Sequence, residues 1–221
     1  AKEYGSDPFD LLEEVLALYA TVLARLEEAG AEWVQIDEPI LVTDLTDRQR
    51  RAFTRAYAKL GRAGPKIMLA TYFGGLENNL SLAASLPVAG APEQLDAVVK
   101  AVPQNRLLSL GVVDGRNIWR ADLAALLDRL EPLAAQRDLV LAPSCSLLHV
   151  PVDLQLERRL DDELKQWLAF AVQKIEELDL LRRAFANGRK SVAAELAASA
   201  RATEARKTAA RIHDRTVSER I

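Results

Sequence analysis

The chain has 221 residues, of which 49% are hydrophobic and 28% charged, and its formal net charge is −3. This composition is typical of a water-soluble globular protein and excludes a disordered or collagen-like chain. Because the charge is nearly balanced, we expect neither nucleic acid nor an anionic membrane as a partner. The absence of a long apolar run and the polar first seven residues predict neither a membrane span nor a signal peptide. The single cysteine, Cys145, suits a reducing compartment and thus a cytoplasmic protein.

Short apolar runs and amphipathic stretches alternate along the chain, and this alternation predicts the α/β class. Four runs, each ending in polar or glycine residues, predict full strands: Trp33–Ile36, Lys66–Phe73, Leu107–Val113 and Leu139–Cys145. A fifth run, 86–88, leaves no room for a full strand before Pro92 opens the next helix. Strands that are each followed by a helix imply a parallel sheet with its working loops at the carboxyl ends.

Capping residues predict where the helices begin. Three patterns stand out: Asp7 with Pro8, Thr46 with Gln49 in capping-box spacing, and Asp161. The first of these helices ends at Gly30, and from Asp161 we predict one long helix to Phe185 with Trp167 and Ile175 on its apolar stripe. Asn187–Gly188 is its stop signal.

A closed (βα)8 barrel needs eight strands, so the chain is predicted to form a partial TIM-like barrel or a small open α/β sheet. We assign residues 1–188 to this domain and residues 189–221 to a C-terminal helical tail or linker. The tail holds eight basic and four acidic residues. Since no aromatic side chain interleaves these charges, a solvated helix face is favoured over a nucleic-acid arm.

Polar residues at two strand ends are the candidate binding residues. Asp37 and Glu38 follow the first strand, where consecutive side chains point to opposite faces, so the two carboxylates do not form a catalytic pair. Either could bind a substrate amine, act as a base or cap a loop. Arg116 and Asn117 follow the third full strand, where a guanidinium could clamp a carboxylate or phosphate. The alternative is that Arg116 pairs with Asp37 or Glu38.

Cys145 and His149 are the other candidates for chemistry, but they make an incomplete zinc shell, because structural sites use four protein ligands and catalytic sites three. The second histidine, His213, lies in the predicted tail and is poorly placed to complete it. A small buried thiol is the favoured role for Cys145, over a Cys–His nucleophile pair with no group to orient the base.

Four long segments in order resemble one family, the cobalamin-independent methionine synthases, which are 5-methyltetrahydropteroyltriglutamate–homocysteine methyltransferases. The segments are WVQIDEP (33–39), LATYFG (69–74), LSLGVVDGRNIW (108–119) and LAPSCSLLHVP (141–151), and the similarity continues through WLAFAVQK (167–174). The resemblance implies two face-to-face (βα)8 barrels in the whole enzyme. It places this chain in the later half of the N-terminal barrel, with zinc, homocysteine and the catalytic acid belonging to the C-terminal barrel.

The resemblance also implies that the metal site is degenerate in this copy of the barrel. Thr71 and Phe73 stand where the catalytic copy has a zinc-binding His and Cys, Arg116 stands near the position of its catalytic His, and Cys145 matches its last Cys ligand. A single thiolate would hold zinc weakly, so we expect no zinc on this chain.

Two stretches typical of the family are expected to be missing: the early strands with basic residues for the folate polyglutamate tail, and a strand after Val88–Gly90, which was either deleted or omitted as a loop. We therefore expect a fragment that supports the catalytic barrel and the folate cleft but is inactive alone. Two alternatives remain: a scaffold that self-associates through an open sheet edge, and an independent small-molecule enzyme using Asp37, Glu38 or Arg116.

Overall fold

A computed structural model describes residues 7–72, 74–86, 88–90 and 95–212; for residues 88–90 the description is limited to the backbone. The chain divides into two compact units between Arg106 and Leu107. In the first unit the elements are α1 (Leu12–Glu28), β1 (Trp33–Asp37), α2 (Asp47–Leu60), β2 (Lys66–Ala70), α3 (Leu80–Ser85), β3 (Val88–Gly90) and α4 (Leu95–Ala101). In the second they are β4 (Leu108–Val113), α5 (Leu123–Ala134), β5 (Leu139–Pro143), α6 (Asp162–Trp167), α7 (Ala171–Asn187) and α8 (Ala193–Thr208).

In the first unit β1, β2 and β3 pair in parallel, with Trp33 opposite Lys66 and Leu69 opposite Val88. Strand β2 ends at Ala70 and is therefore shorter than the predicted strand Lys66–Phe73. The apolar run at 86–88, predicted to be too short for a full strand, contributes to the three-residue β3. Phe73 and the expected deletion after Gly90 lie outside the described residues. The parallel pairing brings the carboxyl end of β1 beside that of β2, which positions the residues that follow both strands.

The predicted caps of the first unit are present. Asp7 accepts a hydrogen bond from Phe9 N at 3.0 Å, although the residues it caps form a 3-10 turn, Pro8–Leu11, before α1 begins. Thr46 and Gln49 complete the capping box of α2. Helix α1 packs Leu16 and Leu23 into the core, and Gly30 beyond its end adopts a φ of +94°, a backbone conformation that favours glycine.

In the second unit β4 and β5 pair in parallel, with Leu108 opposite Leu139. The register shifts between Gly111 and Val113, which is where the next strand approaches most closely. A Cβ on Gly111 would lie 2.7 Å from Ser144 Cα, so only glycine admits this approach. The core of this unit is apolar and includes Val113, Leu127 and Leu181.

The prediction of one continuous helix over 161–185 is wrong. Residues 168–170 separate α6 from α7, and the segment pairs with the loop after β4 through a bridge between Leu168 and Trp119 and a hydrogen bond from Ala169 N to Ile118 O at 2.8 Å. Helical periodicity does not reveal this break, because the interrupting residues Leu168, Ala169 and Phe170 are apolar and continue the hydrophobic pattern. They are buried in an extended segment that pairs with the loop after β4. Ile175, assigned to the buried stripe, is 58% exposed.

Residues 189–212 form a 3-10 turn, Arg189–Val192, followed by α8. The predicted stop before this segment is present, since Gly188 has a φ of +80°. Helix α8 packs against α5 and α6, and it buries the small residues Ser199, Ala202 and Thr203. The small side chains of this alanine-rich segment therefore allow α8 to pack closely against its neighbouring helices. The assignment of a separate domain beginning at residue 189 stays a prediction.

Candidate functional site

Asp37 and Glu38 lie at the carboxyl end of β1, as predicted, and they face different surroundings. Asp37 is exposed, and its Oδ1 accepts a hydrogen bond from Gln35 Nε2 at 2.7 Å. The same Gln35 amide donates to the Tyr72 hydroxyl at 2.8 Å, which links the end of β1 to the residues that follow β2. Asp37 is thus a solvated acid held by a neighbour on its own strand.

Glu38 is half-buried and accepts a hydrogen bond from the Tyr57 hydroxyl at 2.8 Å. Burial raises the pKa of Glu38, and the Tyr57 hydrogen bond opposes that rise. Burial and the neighbouring carboxylate raise the pKa of Tyr57, which keeps the phenol protonated as a donor. Sequence reasoning missed Tyr57 as the partner of Glu38, because the two are 19 residues apart and only the packing of α2 brings them together.

A tight polar turn follows β4. Asp114 Oδ1 accepts from Arg116 N at 2.8 Å, and Asp114 Oδ2 accepts from Asn117 Nδ2 at 2.6 Å. Asn117 Oδ1 in turn accepts from Trp119 N at 2.9 Å. Asp114 and Asn117 therefore shape the backbone of the turn. Both the amide nitrogen and the amide oxygen of the Asn117 side chain form hydrogen bonds within it.

Arg116 is the exposed residue of this turn. Its guanidinium makes no ion pair or side-chain hydrogen bond in the part of the chain that the structure describes. The five N–H donors of the guanidinium therefore have no side-chain partner among the described residues. Arg116 belongs to the second unit, whereas Asp37 and Glu38 belong to the first, so the hypothesis that it pairs with either acid stays a prediction.

Beneath the turn lies a buried charged pair that sequence reasoning did not single out. Lys174 is fully buried and Glu177 is 5% exposed, and both lie on α7. Lys174 Nζ donates to the Trp119 carbonyl at 3.2 Å, and Glu177 Oε1 accepts from Ala121 N at 2.9 Å. The two side chains therefore hold the segment that runs out of the Asp114–Asn117 turn.

The surroundings of this pair disfavour the charged forms. Burial lowers the pKa of Lys174, although the charges of Glu177 and Asp114 oppose that change. Burial also raises the pKa of Glu177, whose Oε2 has no hydrogen-bond partner within the described chain. The sequence did offer one signal, a lysine and a glutamate three residues apart within a predicted amphipathic helix. Burying such charged side chains costs free energy unless each finds a hydrogen-bond partner or an opposite charge.

Cys145 is half-buried rather than fully buried, and its thiol donates weakly to Ser146 O at 3.7 Å. His149 is exposed, whereas Thr71 is buried. His213 lies outside the described residues. Within residues 7–72, 74–86 and 95–212 no three His, Cys, Asp or Glu side chains gather to hold a metal ion. The donor set of the described chain therefore does not fit zinc, which needs at least three protein ligands.

A family model described as the N-terminal domain of cobalamin-independent synthase matches residues 1–138. The chain belongs to this family. Curated relatives of this chain carry the name 5-methyltetrahydropteroyltriglutamate–homocysteine methyltransferase. The relative from Caulobacter vibrioides is 54% identical over all of this chain, and that from Chelativorans is 54% identical over 98% of it. The chain spans about 30% of the length of each of these relatives.

Among solved structures, a chain from Listeria monocytogenes that is titled a vitamin-B12-independent methionine synthase resembles this chain with a TM-score of 0.54. The match covers 80% of this chain and 54% of that one at 14% identity, so it bears on the fold alone. Together with the parallel strands and intervening helices, it confirms the predicted α/β class of a partial TIM-like barrel. No helix within the described ranges is sufficiently long and apolar to cross a membrane.

Proposed function

We propose that this chain is part of a methyltransferase that transfers a methyl group from 5-methyltetrahydropteroyltriglutamate to homocysteine to form methionine. The observation that carries the proposal is the 54% identity, over the whole chain, to relatives that bear this activity in their names. Under this proposal residues 1–188 contribute to the N-terminal barrel, and residues 189–221 form its helical extension. The remaining polypeptide of the relatives corresponds to the catalytic partner.

The role we assign to this chain is binding and support. The described side chains do not assemble a zinc shell, so we place the metal, together with thiolate activation, on the C-terminal barrel. As an isolated polypeptide in the cytoplasm, the chain is then expected to produce no methionine. What it supplies is a wall of the folate cleft and a surface that supports the catalytic barrel.

Arg116 is the residue of this chain that we propose contacts substrate. Its guanidinium is exposed and is not engaged by another side chain, while its backbone is held by Asp114. A guanidinium forms two parallel hydrogen bonds with a carboxylate, and both homocysteine and the glutamyl tail of the folate carry carboxylates. Asn117 supports this contact by shaping the turn.

For the end of β1 we propose a weaker interaction with substrate. Asp37 is exposed and could accept a hydrogen bond from a polar substrate group. Glu38 already accepts from Tyr57, and its half-buried position makes it a fixed acceptor with one remaining oxygen. Such an acceptor suits an amine or amide donor and does not require proton transfer.

Fragment complementation tests the proposal. The Caulobacter vibrioides relative would be prepared without the stretch that matches this chain and mixed with this chain, zinc, homocysteine and the methylated folate triglutamate. Methionine, measured by mass spectrometry, is expected from the mixture and from neither polypeptide alone. The matched control supplies the relative's own stretch as a separate chain, which shows whether the division itself is tolerated. The proposal fails if the control mixture is active and this mixture forms a complex without making methionine, or if this chain alone makes methionine.

A further inference from the structure

Residues 118–121, here called the anchor segment, follow the polar turn after β4 and are hydrogen-bonded along most of their backbone. Six of their eight backbone N–H and C=O groups have a partner. Two of the partners are backbone groups at the junction of α6 and α7. Ala169 N donates to Ile118 O at 2.8 Å. Arg120 N donates to Trp167 O, also at 2.8 Å, so the junction pairs with the anchor segment.

Side chains of two helices bind the anchor segment as well. From α7, Lys174 Nζ donates to Trp119 O at 3.2 Å, and Glu177 Oε1 accepts from Ala121 N at 2.9 Å. From α8, the Ser199 hydroxyl donates to the carbonyl oxygen of Ala121 at 2.8 Å. Helices α7 and α8 therefore bind the two polar backbone groups of one residue.

Two of these three side chains are costly to bury. Lys174 is fully buried and Glu177 is 5% exposed. Removing charged groups from water costs free energy, and a pair of apolar side chains of similar volume often gives equal or greater stability. The stability of the fold therefore does not account for ionisable side chains at these positions. What the two side chains do provide is a fixed backbone in the anchor segment.

The turn before the anchor segment is also held at its other end. Gly115 N donates to Ser144 Oγ at 3.1 Å, and Ser144 N donates to Val113 O at 2.8 Å. A Cβ on Gly115 would lie 2.8 Å from Cys145 O, so the residues after β5 lie directly against the turn. Arg116 lies between these two fixed points. Since its guanidinium has no side-chain partner among the described residues, its backbone is what positions it.

We propose that Lys174, Glu177 and Ser199 are positioning residues for Arg116, and that by fixing the anchor segment they hold its guanidinium where a substrate carboxylate binds. This inference rests on the proposed function, in which Arg116 contacts substrate. A group that is fixed in advance loses less conformational entropy when it binds. Loosening the anchor segment should therefore weaken binding of the carboxylate and leave the chemical step unchanged. Helix α8 then supports the binding site.

A pair of matched variants on α8 tests the proposal. Ser199→Ala removes a hydroxyl that binds the anchor segment. Thr203→Val removes a hydroxyl one helical turn further on, at a buried position whose Oγ1 has no hydrogen-bond partner within the described chain.

Both variants are assayed by fragment complementation, with KM measured for homocysteine and for the methylated folate triglutamate. Ser199→Ala should raise the KM of whichever substrate Arg116→Ala also affects, by about fivefold, the equivalent of one hydrogen bond, with kcat unchanged. Thr203→Val should change neither constant. A lowered kcat with an unchanged KM, or equal effects of Ser199→Ala and Thr203→Val, overturns the proposal.

A double-variant cycle separates positioning from a general structural role. If Ser199 acts through Arg116, Ser199→Ala should have no further effect on KM once Arg116→Ala has removed the guanidinium. A merely structural role would lower kcat/KM by the same factor whether or not the guanidinium is present. Equal factors in the two backgrounds therefore contradict the proposal.

Amide hydrogen exchange of the full chain examines the anchor segment without the activity assay. The amides of Trp119, Arg120 and Ala121 all donate hydrogen bonds in the folded chain. Their exchange should be faster in Ser199→Ala and unchanged in Thr203→Val. Inactivity of the wild-type mixture contradicts the proposed function and, with it, the substrate contact. An active mixture with unchanged exchange in Ser199→Ala contradicts this inference alone.

Discussion

Lys174 Nζ donates a 3.2 Å hydrogen bond to the carbonyl oxygen of Trp119, which lies 55 residues earlier in the chain. Through this bond a fully buried ammonium holds the segment that leaves the Asp114–Asn117 turn. Glu177, one helical turn further on, accepts from Ala121 N in the same segment. Two ionisable side chains of α7 therefore hold the segment that follows the candidate binding residue Arg116.

Replacing Lys174 is expected to destabilise the second unit. Lys174→Met removes the donor to the Trp119 carbonyl and the positive charge that opposes the burial cost of Glu177, a change that costs about 1–3 kcal/mol in the free energy of unfolding. Adding Glu177→Gln keeps an acceptor for Ala121 N and removes the buried charge, so the double variant should be more stable than Lys174→Met alone. Urea unfolding of the wild type, both single variants and the double variant measures the coupling. Simple additivity of the two changes would contradict it.

The same pair predicts how stability varies with pH. The pKa of Glu177 is raised above its ordinary value of 4.5, so the folded chain binds more protons than the unfolded chain between 4.5 and the raised value. The free energy of unfolding contributed by Glu177 therefore falls as pH rises through that window. Glu177→Gln should flatten this part of the profile, measured by urea unfolding at a series of pH values. An unchanged slope in the variant would show that another group is responsible.

Lys174 acts in the opposite direction at alkaline pH. Its pKa is lowered below its ordinary value of 10.5, so the folded chain binds fewer protons than the unfolded chain between the lowered value and 10.5. The contribution of Lys174 to the free energy of unfolding therefore rises with pH through that window. Lys174→Met should remove this rise.

The hydrogen bond between Tyr57 and Glu38 is expected to contribute about 1 kcal/mol, because its donor is buried and its acceptor is half-buried. Tyr57→Phe removes the donor and leaves the carboxylate in the same half-buried place, so the pKa of Glu38 should rise further. Carbon-detected NMR titration of the glutamate carboxyls measures that pKa. Tyr19→Phe, on an exposed ring, is the matched control and should leave it unchanged.

Arg116 is expected to matter for substrate and not for folding. Arg116→Ala should leave the free energy of unfolding within about 0.5 kcal/mol, since the exposed side chain makes no contact that stabilises the turn. In the complementation assay it should lower kcat/KM by about tenfold, the amount that corresponds to about 1.4 kcal/mol of lost binding. Arg116→Lys keeps the charge without the fork and should recover only part of the loss. Arg62→Ala, an exposed arginine of the first unit, controls for loss of charge. Full activity of Arg116→Ala would remove Arg116 from the proposed site.

The close approach of β4 to the residues after β5 predicts that Gly111 tolerates no side chain. Gly111→Ala would place a Cβ 2.7 Å from Ser144 Cα, where only backbone movement relieves the overlap. A loss of about 1–3 kcal/mol is expected. Gly74→Ala meets only Val42 at 3.6 Å, an ordinary contact, and should be nearly neutral. Thermal unfolding of the two variants side by side tests the difference.

Local sequence patterns were sufficient to predict those helix and strand boundaries that depend on residues close together in the chain. The capping box at Thr46 and Gln49 and the glycine stop at Gly188 were predicted correctly, because each reports a hydrogen bond or a backbone angle settled within a few residues. The strand ends that carry Asp37 and Arg116 were placed for the same reason. The family could also be identified from the sequence, because several long motifs in a fixed order rarely occur together in unrelated proteins.

Tertiary structure alone decided the features that depend on distant partners. The break between α6 and α7 arises because residues 168–170 pair with the loop after β4, and apolar periodicity reads the same whether such residues pack as a helix or as a bridge. The partner of Glu38 was hidden because burial and hydrogen bonding between Glu38 and Tyr57 exist only once α2 packs beside β1. Lys174 is buried and bonds to the Trp119 carbonyl, 55 residues earlier in the chain, and no periodicity within α7 specifies that contact. Local chemistry thus determined the element ends that a cap or a glycine marks, whereas the break between α6 and α7 and the environment of each candidate functional group were set by contacts between residues far apart in the chain.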